Sequence, residues 1–340
     1  MRLHLPHFQL PDPIQSVRLM ALLFLYSLTF WGNESKAVQT TVQMTKPMRI
    51  IVPNAPGGPT DTVARIVGQR LADSLHISVV IDNRPGASGT VGGDIVAKSQ
   101  PDGRTLLLVS SSAFVSTPIL IPNAPFDGRH AFSLITAVVS VPYVLLVNPT
   151  AGFVSVKDLI AQAKTKPGSL NFGSAGNGST SHLVGALFSE TAGFKAQHIA
   201  YKGSALAAVD LIGGQLQFEF EAIAGAMQYV KSGRLKALGV SSSKRLETLP
   251  DLLTIQEAGL PGFEAVVTHG LCGTVKTPVN MVKYLNQQLT KVIHQPETKQ
   301  RLESIGAIVL GGTSEEYQHS TRNEISRWEK IVKSLASQEL

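Results

Sequence analysis

Cysteine, charge and clustered basic residues are all scarce in this chain of 340 residues. The single cysteine, Cys272, excludes an internal disulfide and any metal site built from several cysteines. Charged residues make up only 16% of the chain, and its 30 lysines and arginines are scattered among 24 acidic residues. A protein that follows a phosphate backbone needs a basic stripe, so the net charge of +6 does not indicate nucleic-acid binding. The composition indicates a globular protein.

Recognisable catalytic motifs are also missing. The chain contains no G-x-S-x-G nucleophile turn, no Walker lysine turn and no H-E-x-x-H. Gly176, Gly178 and Ser181 come close to the G-x-G-x-x-G turn of dinucleotide-binding proteins, but serine replaces the third glycine. The next strand ends in Ala-Tyr-Lys at residues 200–202, where a ribose-binding acid would be needed. We therefore expect no enzyme, no cofactor and no metal, and a nucleotide-binding enzyme is the less favoured alternative.

The longest apolar run covers residues 19–31 and follows Arg18. It is shorter than the ~20 residues that span a bilayer, but its length suits the core of a signal peptide. Ser35 and Ala37 supply the small residues expected before a cleavage site after Ala37. The sequence therefore predicts a signal peptide at residues 1–37 and a mature protein in the periplasm, with an uncleaved membrane anchor as the alternative.

Residues 48–61 predict a strand that ends in a glycine turn and leads into a helix. The short, β-branched run at 48–52 is broken by Pro-Asn-Ala-Pro-Gly-Gly at residues 53–58. Pro59 suits the first position of a helix, with Gly58 as its cap. Amide groups at a helix start have no acceptor within the helix, so a carboxylate or phosphate beyond the strand end would satisfy them.

A second turn of this kind lies at residues 170–181, where a short strand is followed by Ser-Ala-Gly-Asn-Gly-Ser-Thr-Ser and a helix. Either turn alone is typical of an ordinary α/β connection. Two of them, more than a hundred residues apart, indicate two lobes that face one ligand.

The rest of the chain alternates strands and helices, which predicts parallel sheets with ligands beyond the carboxyl ends of the strands. A serine triplet at residues 110–112 follows one such strand and either lines a pocket or caps the next turn. Apolar segments around Pro142 suggest that the chain crosses between lobes, and residues 263–274 suggest that it crosses back. We expect lobe 1 at residues 46–141 and 266–340, and lobe 2 at residues 142–265.

Several sequence blocks occur together at characteristic spacings. They are IVPNAPGGPTD at 51–61, NRPGA at 83–87, PDG at 101–103, NFGSAGNGSTSH at 171–182, YKGSA at 201–205, EAGLPG at 257–262 and GGT at 311–313. In these blocks the chain resembles the substrate-binding proteins of tripartite tricarboxylate transporters, also called the Bug receptors of Gram-negative bacteria. The resemblance implies an α/β fold of the type II periplasmic-binding-protein class: two βα lobes joined by two crossing strands, with a ligand cleft between them. It also implies a carboxylate held between the two loops, partly by backbone amides and ordered water.

The resemblance places the binding residues in the two glycine turns and beside them. The predicted ligand-binding residues are Asn54, Ala55, Gly57, Gly58, Thr60, Asp61, Ser111, Ser174, Ala175, Asn177, Ser179, Thr180 and Glu221. A carboxylate at position 61 would repel an anion, so Asp61 is expected to support the helix start or to meet a ligand amino group. No residue is predicted to be catalytic.

The chain departs from the family pattern at several positions near the expected cleft. Asn54 stands where an aromatic residue is usual, Glu221 where aspartate is common, Ala222 where asparagine is common, and His269 replaces part of an aromatic pair. If Glu221 faces the cleft, it would select a ligand with a positive or hydroxyl group. The alternative is a solvated acid at the end of a strand.

The resemblance implies an extracytoplasmic solute receptor that acts as a monomer. Its ligand would be a small carboxylate, such as a di- or tricarboxylate, an aromatic acid or an amino acid, and its macromolecular partners would be membrane permease subunits. A periplasmic ligand sensor that feeds a signalling partner is the main alternative.

Overall fold

The computed structural model describes residues 44–86, 89–114, 119 and 123–336. The predicted signal peptide at residues 1–37 lies outside these ranges. Within them, no helix is both long enough and apolar enough to cross a membrane.

Ten strands and nine α-helices make up the described part of the chain. The strands are β1 (Met48–Val52), β2 (Val79–Asn83), β3 (Thr105–Ser110), β4 (Phe132–Val147), β5 (Leu170–Ser174), β6 (Ala196–Ala200), β7 (Phe218–Ala222), β8 (Lys236–Val240), β9 (Val266–Thr274) and β10 (Ile308–Gly311). The helices are α1 (Pro59–Leu75), α2 (Thr90–Ala97), α3 (Val156–Thr165), α4 (Thr180–Ala192), α5 (Ser204–Ile212), α6 (Ile223–Lys231), α7 (Val279–Ile293), α8 (Pro296–Ser304) and α9 (Ser314–Ala336).

The strands form one curled sheet in the order β2-β1-β3-β9-β4-β7-β5-β6, with β8 and β10 also paired to β4. Strand β1 runs parallel to β2 and β3, and β5 runs parallel to β6 and β7. These two parallel groups are the sheets of the two lobes. Each is built from the strand–helix alternation predicted by the sequence, because a parallel neighbour requires a crossover connection.

Strand β4 joins the two lobes by changing its partners along its length. Its residues up to Pro142 pair with β9, and its residues from Tyr143 onward pair with β7 and β8. Pro142 lies within the strand, opposite Val266 at the start of β9, so the chain crosses from one lobe to the other without a break. Side chains along this strand are buried on both faces, which explains the long apolar run.

Helix α1 packs on the lobe 1 sheet through Val63, Ile66, Val67 and Leu71, which recur with the period of a helix. On the lobe 2 sheet, Phe188 of α4 makes edge contacts with Phe218 and Phe220. These packed helices fix the starts of α1 and α4 relative to the strands that precede them.

Cys272 is fully buried on β9, where its thiol contacts the Leu107 carbonyl at 3.7 Å. Burial raises the pKa of this thiol well above its usual value, which opposes any nucleophilic role. Its neighbour His269 is on the other face of the strand and hydrogen-bonds Thr60.

Candidate functional site

A cavity of about 630 Å³ lies where the two lobes meet, and we call it the cleft cavity. One wall is the first loop (residues 53–58) with the start of α1, and the opposite wall is the second loop (residues 174–179) with the start of α4. Gly58 and Ser179 therefore border the same space. The remaining wall comes from the strand ends near Ser112 and from Tyr143, Glu221 and His269.

The first loop is held in place by Asp61, whose side chain is 2% exposed. The Gly57 amide donates to Asp61 Oδ2 at 2.8 Å, and the Asn83 side chain donates to Asp61 Oδ1 at 3.0 Å. The same Asn83 amide also reaches the carbonyl of Asn54 at 3.1 Å. Gly57 has a φ of 86°, a left-handed conformation that lets the chain turn into the helix without steric strain. Asp61 therefore shapes the loop from behind.

The ionised form of Asp61 is favoured in the folded protein. Burial by itself would raise the pKa of this carboxyl, but hydrogen bonds from Arg65, Gly57 and Asn83 and the charge of Arg65 outweigh it, so that the pKa is lowered. The stabilisation that follows is present above the usual aspartate pKa and is lost as the pH falls below it.

Removal of the Asp61 carboxyl is expected to loosen the first loop. Asp61→Ala leaves the Gly57 amide and the Asn83 side chain without their acceptor, and we expect a loss of about 2 kcal/mol in the free energy of unfolding. Arg65→Ala is the matched control, because it removes the ion pair and the exposed contact to Asn83 but leaves the Asp61 carboxyl in place, and it should cost less than about 1 kcal/mol. Urea unfolding of both variants measures the difference. Equal losses would show that the ion pair, not the loop contact, is what matters.

The second loop uses most of its amides on itself. Ala175 N–H donates to the Ser181 hydroxyl, Gly176 N–H to the Ser174 hydroxyl, and Ser179 N–H to the Gly176 carbonyl. These main-chain donors are therefore satisfied within the loop and are not available to a ligand. The His182 amide is capped by the Ser179 hydroxyl, so the donors left toward the cavity are the amides at the first positions of α4 and the hydroxyls near them.

Two stacked imidazoles lie directly behind the second loop. The rings of His182 and His198 are 3.7 Å apart at an angle of 8°. His182 Nδ1 accepts a hydrogen bond from the Gly178 amide at 3.1 Å, and His198 Nε2 lies 2.6 Å from the Ser174 hydroxyl. Burial lowers the pKa of His182 to about 3, with a further contribution from His198, and burial lowers the pKa of His198 to about 4. Both rings are therefore neutral at physiological pH, as an accepting Nδ1 requires.

Two hydroxyls connect the lobes directly across the cleft cavity. Ser112 Oγ, beyond the end of β3, lies 3.1 Å from Thr180 Oγ1 at the first position of α4. Tyr143, on the crossing strand, is also hydrogen-bonded to Thr180, and burial raises the pKa of its phenol well above the usual value. Thr180 thus contacts both Ser112 of lobe 1 and Tyr143 of the crossing strand β4.

The cleft cavity has few charged groups. Among its described lining residues, Lys202 is the cation and Glu221 is the acid, and neither forms an ion pair. His269 is buried, and burial lowers its pKa to about 4, so that it is neutral. No cluster of three or more histidine, cysteine or acidic side chains that could hold a metal occurs in the described ranges. The cavity is lined mainly by hydroxyls, helix starts and small residues.

The structure brings most of the sequence-predicted site residues to this cavity. Those that line it are Asn54, Ala55, Gly57, Gly58, Thr60, Ala175, Asn177, Ser179, Thr180 and Glu221. The other three, Asp61, Ser111 and Ser174, lie outside the lining and are engaged in hydrogen bonds within the protein.

Ser111 was expected at the cavity, but its two neighbours are there instead. Its side chain is fully buried and donates to Glu324 of α9. The same Glu324 carboxylate accepts bonds from the amide and hydroxyl of Thr268 on β9. Ser110 and Ser112 line the cavity because side chains alternate along the end of β3. Sequence inspection placed the triplet correctly, but the member that it selected does not line the cavity.

Sequence reasoning did not assign Tyr143, Ser204 or His269 to the ligand site, although all three line the cavity. Tyr143 and His269 belong to the crossing strands and Ser204 begins α5, so none is adjacent in sequence to the two loops. The sequence contains a signal for His269 alone, because this residue departs from the family pattern. It contains none for Tyr143 or Ser204.

The matches to known proteins agree with this geometry. Residues 63–336 match the family model described as the tripartite tricarboxylate transporter family receptor. BugT of Bordetella pertussis is 33% identical over 321 residues, which cover 94% of this chain and 98% of BugT.

Two solved structures of Rhodopseudomonas palustris proteins are similar as well. The protein Rpa4515, solved with adipate, is 31% identical with a TM-score of 0.79, and the match covers 86% of this chain and 98% of that one. MatC, solved with bound malate, is 28% identical with a TM-score of 0.76, and the match covers 85% and 99% of the two chains. The predicted fold class is confirmed by these likenesses. The chain belongs to the tripartite tricarboxylate transporter receptor family, whose members are solute-binding receptors and not enzymes.

Proposed function

We propose that this protein is a periplasmic receptor that binds a small carboxylate in the cleft cavity and delivers it to a membrane permease. The observation that carries the proposal is that the starts of α1 and α4, one from each lobe, border one cavity. Helix starts favour anions because their first amides are unpaired and the helix dipole is positive there. The relatives solved with adipate and malate support a carboxylate as the ligand class.

The ligand carboxylate would accept hydrogen bonds from both walls. In lobe 1 the candidate donors belong to Asn54, Ala55, Gly58 and Thr60, and in lobe 2 they belong to Asn177, Ser179 and Thr180. The Gly57 and Ala175 amides line the cavity but are already bonded to Asp61 and Ser181. Hydrogen bonds to a charged group contribute about 1.5 to 3 kcal/mol each, so five or six can offset the cost of association and leave micromolar affinity, about −8 kcal/mol.

Closure of the two lobes would hinge where β4 changes partners. That position, between Pro142 and Tyr143, supports the division into lobe 1 at residues 46–141 and 266–340 and lobe 2 at residues 142–265. The contact between Ser112 and Thr180 forms only when the lobes are together. In this proposal residues 1–37 are the export signal, and the closed receptor is the form that the permease recognises.

Thermal-shift screening tests the ligand class. A carboxylate that binds the folded chain at a hundred times its dissociation constant adds about 2.7 kcal/mol, which corresponds to a rise of about 5 °C in the melting temperature. The screen should contain di- and tricarboxylates, aromatic acids and amino acids. The uncharged amide of each active acid is its control and should give no shift.

Two results would count against the receptor proposal. One is a flat response across the whole acid library. The other is chemical conversion of any compound that binds, since a receptor releases its ligand unchanged.

A further inference from the structure

A second cavity of about 170 Å³ opens beside the cleft cavity, and we call it the side pocket. Its apolar walls come from both lobes and from the segment after α8: Val63, Val141, Ala222, Tyr229, Ile305 and Ala307. A dry cavity of about 150 Å³ is large enough for benzene. The side pocket therefore has room for a hydrocarbon group of about six carbon atoms.

The two cavities share part of their lining, which places them side by side. Residues 57–59 of the first loop and α1, Ser204, Ala205 and Glu221 border the cleft cavity and the side pocket alike. A carboxylate between the helix starts would thus have the rest of its molecule directed past Glu221 toward the apolar walls.

The Glu221 carboxyl stands in this shared lining with few hydrogen-bond partners. It is 6% exposed, and its partners are the Ala222 amide at 3.0 Å and the Ser204 hydroxyl. None of the ion pairs between described residues includes it. Gly225 makes room for it, since a Cβ there would lie 2.8 Å from Glu221 Oε1. The site is built around an acid with unused acceptor capacity.

The titratable groups around Glu221 are Glu219 on the same strand, Tyr143 on the neighbouring strand β4, and Lys202, which lines the cleft cavity with it. Burial raises the pKa of Glu221 despite its two hydrogen bonds. A ligand group that donates hydrogen bonds would relieve this penalty, most of all if it carries a positive charge. A second ligand carboxylate at the same place would offer Glu221 no hydrogen-bond donor and would add like charge to its ionised form.

We infer that the ligand is a monocarboxylate with an amino or hydroxyl group and a short hydrocarbon side chain. The carboxylate binds between the helix starts, the amino or hydroxyl group donates to Glu221, and the side chain fills the side pocket. This inference rests on the proposed function and narrows it, because it excludes dicarboxylates as the preferred ligands.

Calorimetric titration of the full chain with matched acids tests the inference. Isocaproate, its hydroxy derivative leucate, and leucine share one hydrocarbon side chain, whereas lactate and alanine lack it. A charge-assisted hydrogen bond should make leucine or leucate bind about tenfold tighter than isocaproate. Glu221→Gln distinguishes the two donors: it should weaken leucine binding about tenfold if the ammonium is recognised, and it should weaken leucate binding, by a smaller factor, if the hydroxyl is recognised.

The side pocket is tested separately by Ala224→Leu. Ala224 lines the pocket from an exposed position on α6, so a leucine there fills the pocket without entering the core. This variant should bind leucine or leucate about tenfold more weakly than the parent chain does, and its affinity for alanine or lactate should be unchanged. Ala161→Leu, at an exposed position on α3 outside both cavities, is the control and should bind as the parent chain does.

Different results would contradict the ligand inference, the role of the side pocket and the proposed function. Isocaproate binding as tightly as leucine and leucate, or adipate binding tighter than all of them, would overturn the inference while leaving carboxylate binding intact. Equal effects of Ala224→Leu on large and small acids would overturn the role of the side pocket. Failure of the parent chain to bind any carboxylate would overturn the proposed function and the inference together.

Discussion

Replacing Glu219 with methionine is expected to raise the melting temperature of this protein, and to raise it far more at pH 8 than at pH 5. Glu219 lies on β7 with no exposed surface, and neither of its carboxyl oxygens has a hydrogen-bond partner among the described residues. It lies on the strand face that carries Glu221, beneath α5 and a cluster that contains Val144, Leu146 and Leu211. A buried acid without partners lowers the free energy of unfolding, and an apolar side chain of similar volume removes this loss.

The pH dependence follows from the pKa of this carboxyl. Burial, with a contribution from Glu221, raises the pKa of Glu219 from 4.5 to about 9. Between these two values the folded chain holds a proton that the unfolded chain has released, so the stability of the parent protein falls as the pH rises through this window. Below this window the carboxyl is protonated in both the folded and the unfolded chain, so the pH-dependent part of the cost disappears. At pH 8 the gain from Glu219→Met should be about 3 kcal/mol, or a rise of about 5 °C.

Calorimetric melting of parent and variant at both pH values measures this effect. Glu247→Met is the matched control: Glu247 is exposed and forms no ion pair with another described residue, so the same substitution there should change stability by less than about 0.5 kcal/mol. A lower melting temperature for Glu219→Met at pH 8 would mean that the carboxyl is satisfied in solution.

The second large effect is expected at His182, which supports the second loop without touching the cavity. His182→Phe keeps a ring against His198 but removes the acceptor for the Gly178 amide. An unsatisfied buried amide costs about 1 to 3 kcal/mol, which the loop can avoid only by moving. We therefore expect affinity for the most strongly shifting carboxylate to fall between about 5-fold and 100-fold.

His182→Asn provides the matched comparison, because the asparagine side chain oxygen can replace Nδ1 as an acceptor while the stacked ring is lost. Titration calorimetry of the parent and both variants gives the result. Affinity should follow the order parent, His182→Asn, His182→Phe. If His182→Phe binds as well as the parent, the imidazole does not position the loop.

The two strand-to-helix turns could be predicted from sequence because their signals are local. Gly57, Pro59 and the Gly176–Gly178 pair mark chain reversals that few other residues permit, and the apolar runs before them identify the strands. The family resemblance then supplied the arrangement of two lobes. Both inferences depend on neighbours in sequence.

The environment of the acids on β7 could not be predicted in this way. The sequence Phe-Glu-Phe-Glu at residues 218–221 alternates apolar and acidic side chains, a pattern typical of a strand with one face in water. The structure covers the acidic face with α5 and α6, so that Glu219 is buried and Glu221 reaches the rim of two cavities. Whether the polar face of a strand is exposed to solvent depends on which helices pack against it. The local sequence of the strand does not determine that packing.

The single thiol has a practical consequence for measuring lobe movement. Cys272 is sealed inside lobe 1, so maleimide dyes should leave the unaltered chain unlabelled. Cysteines introduced at Val80 and Gln197, exposed positions on the strands at the two ends of the sheet, could then carry a fluorescent donor and acceptor in the otherwise native protein. Energy transfer between them would follow opening and closing in real time.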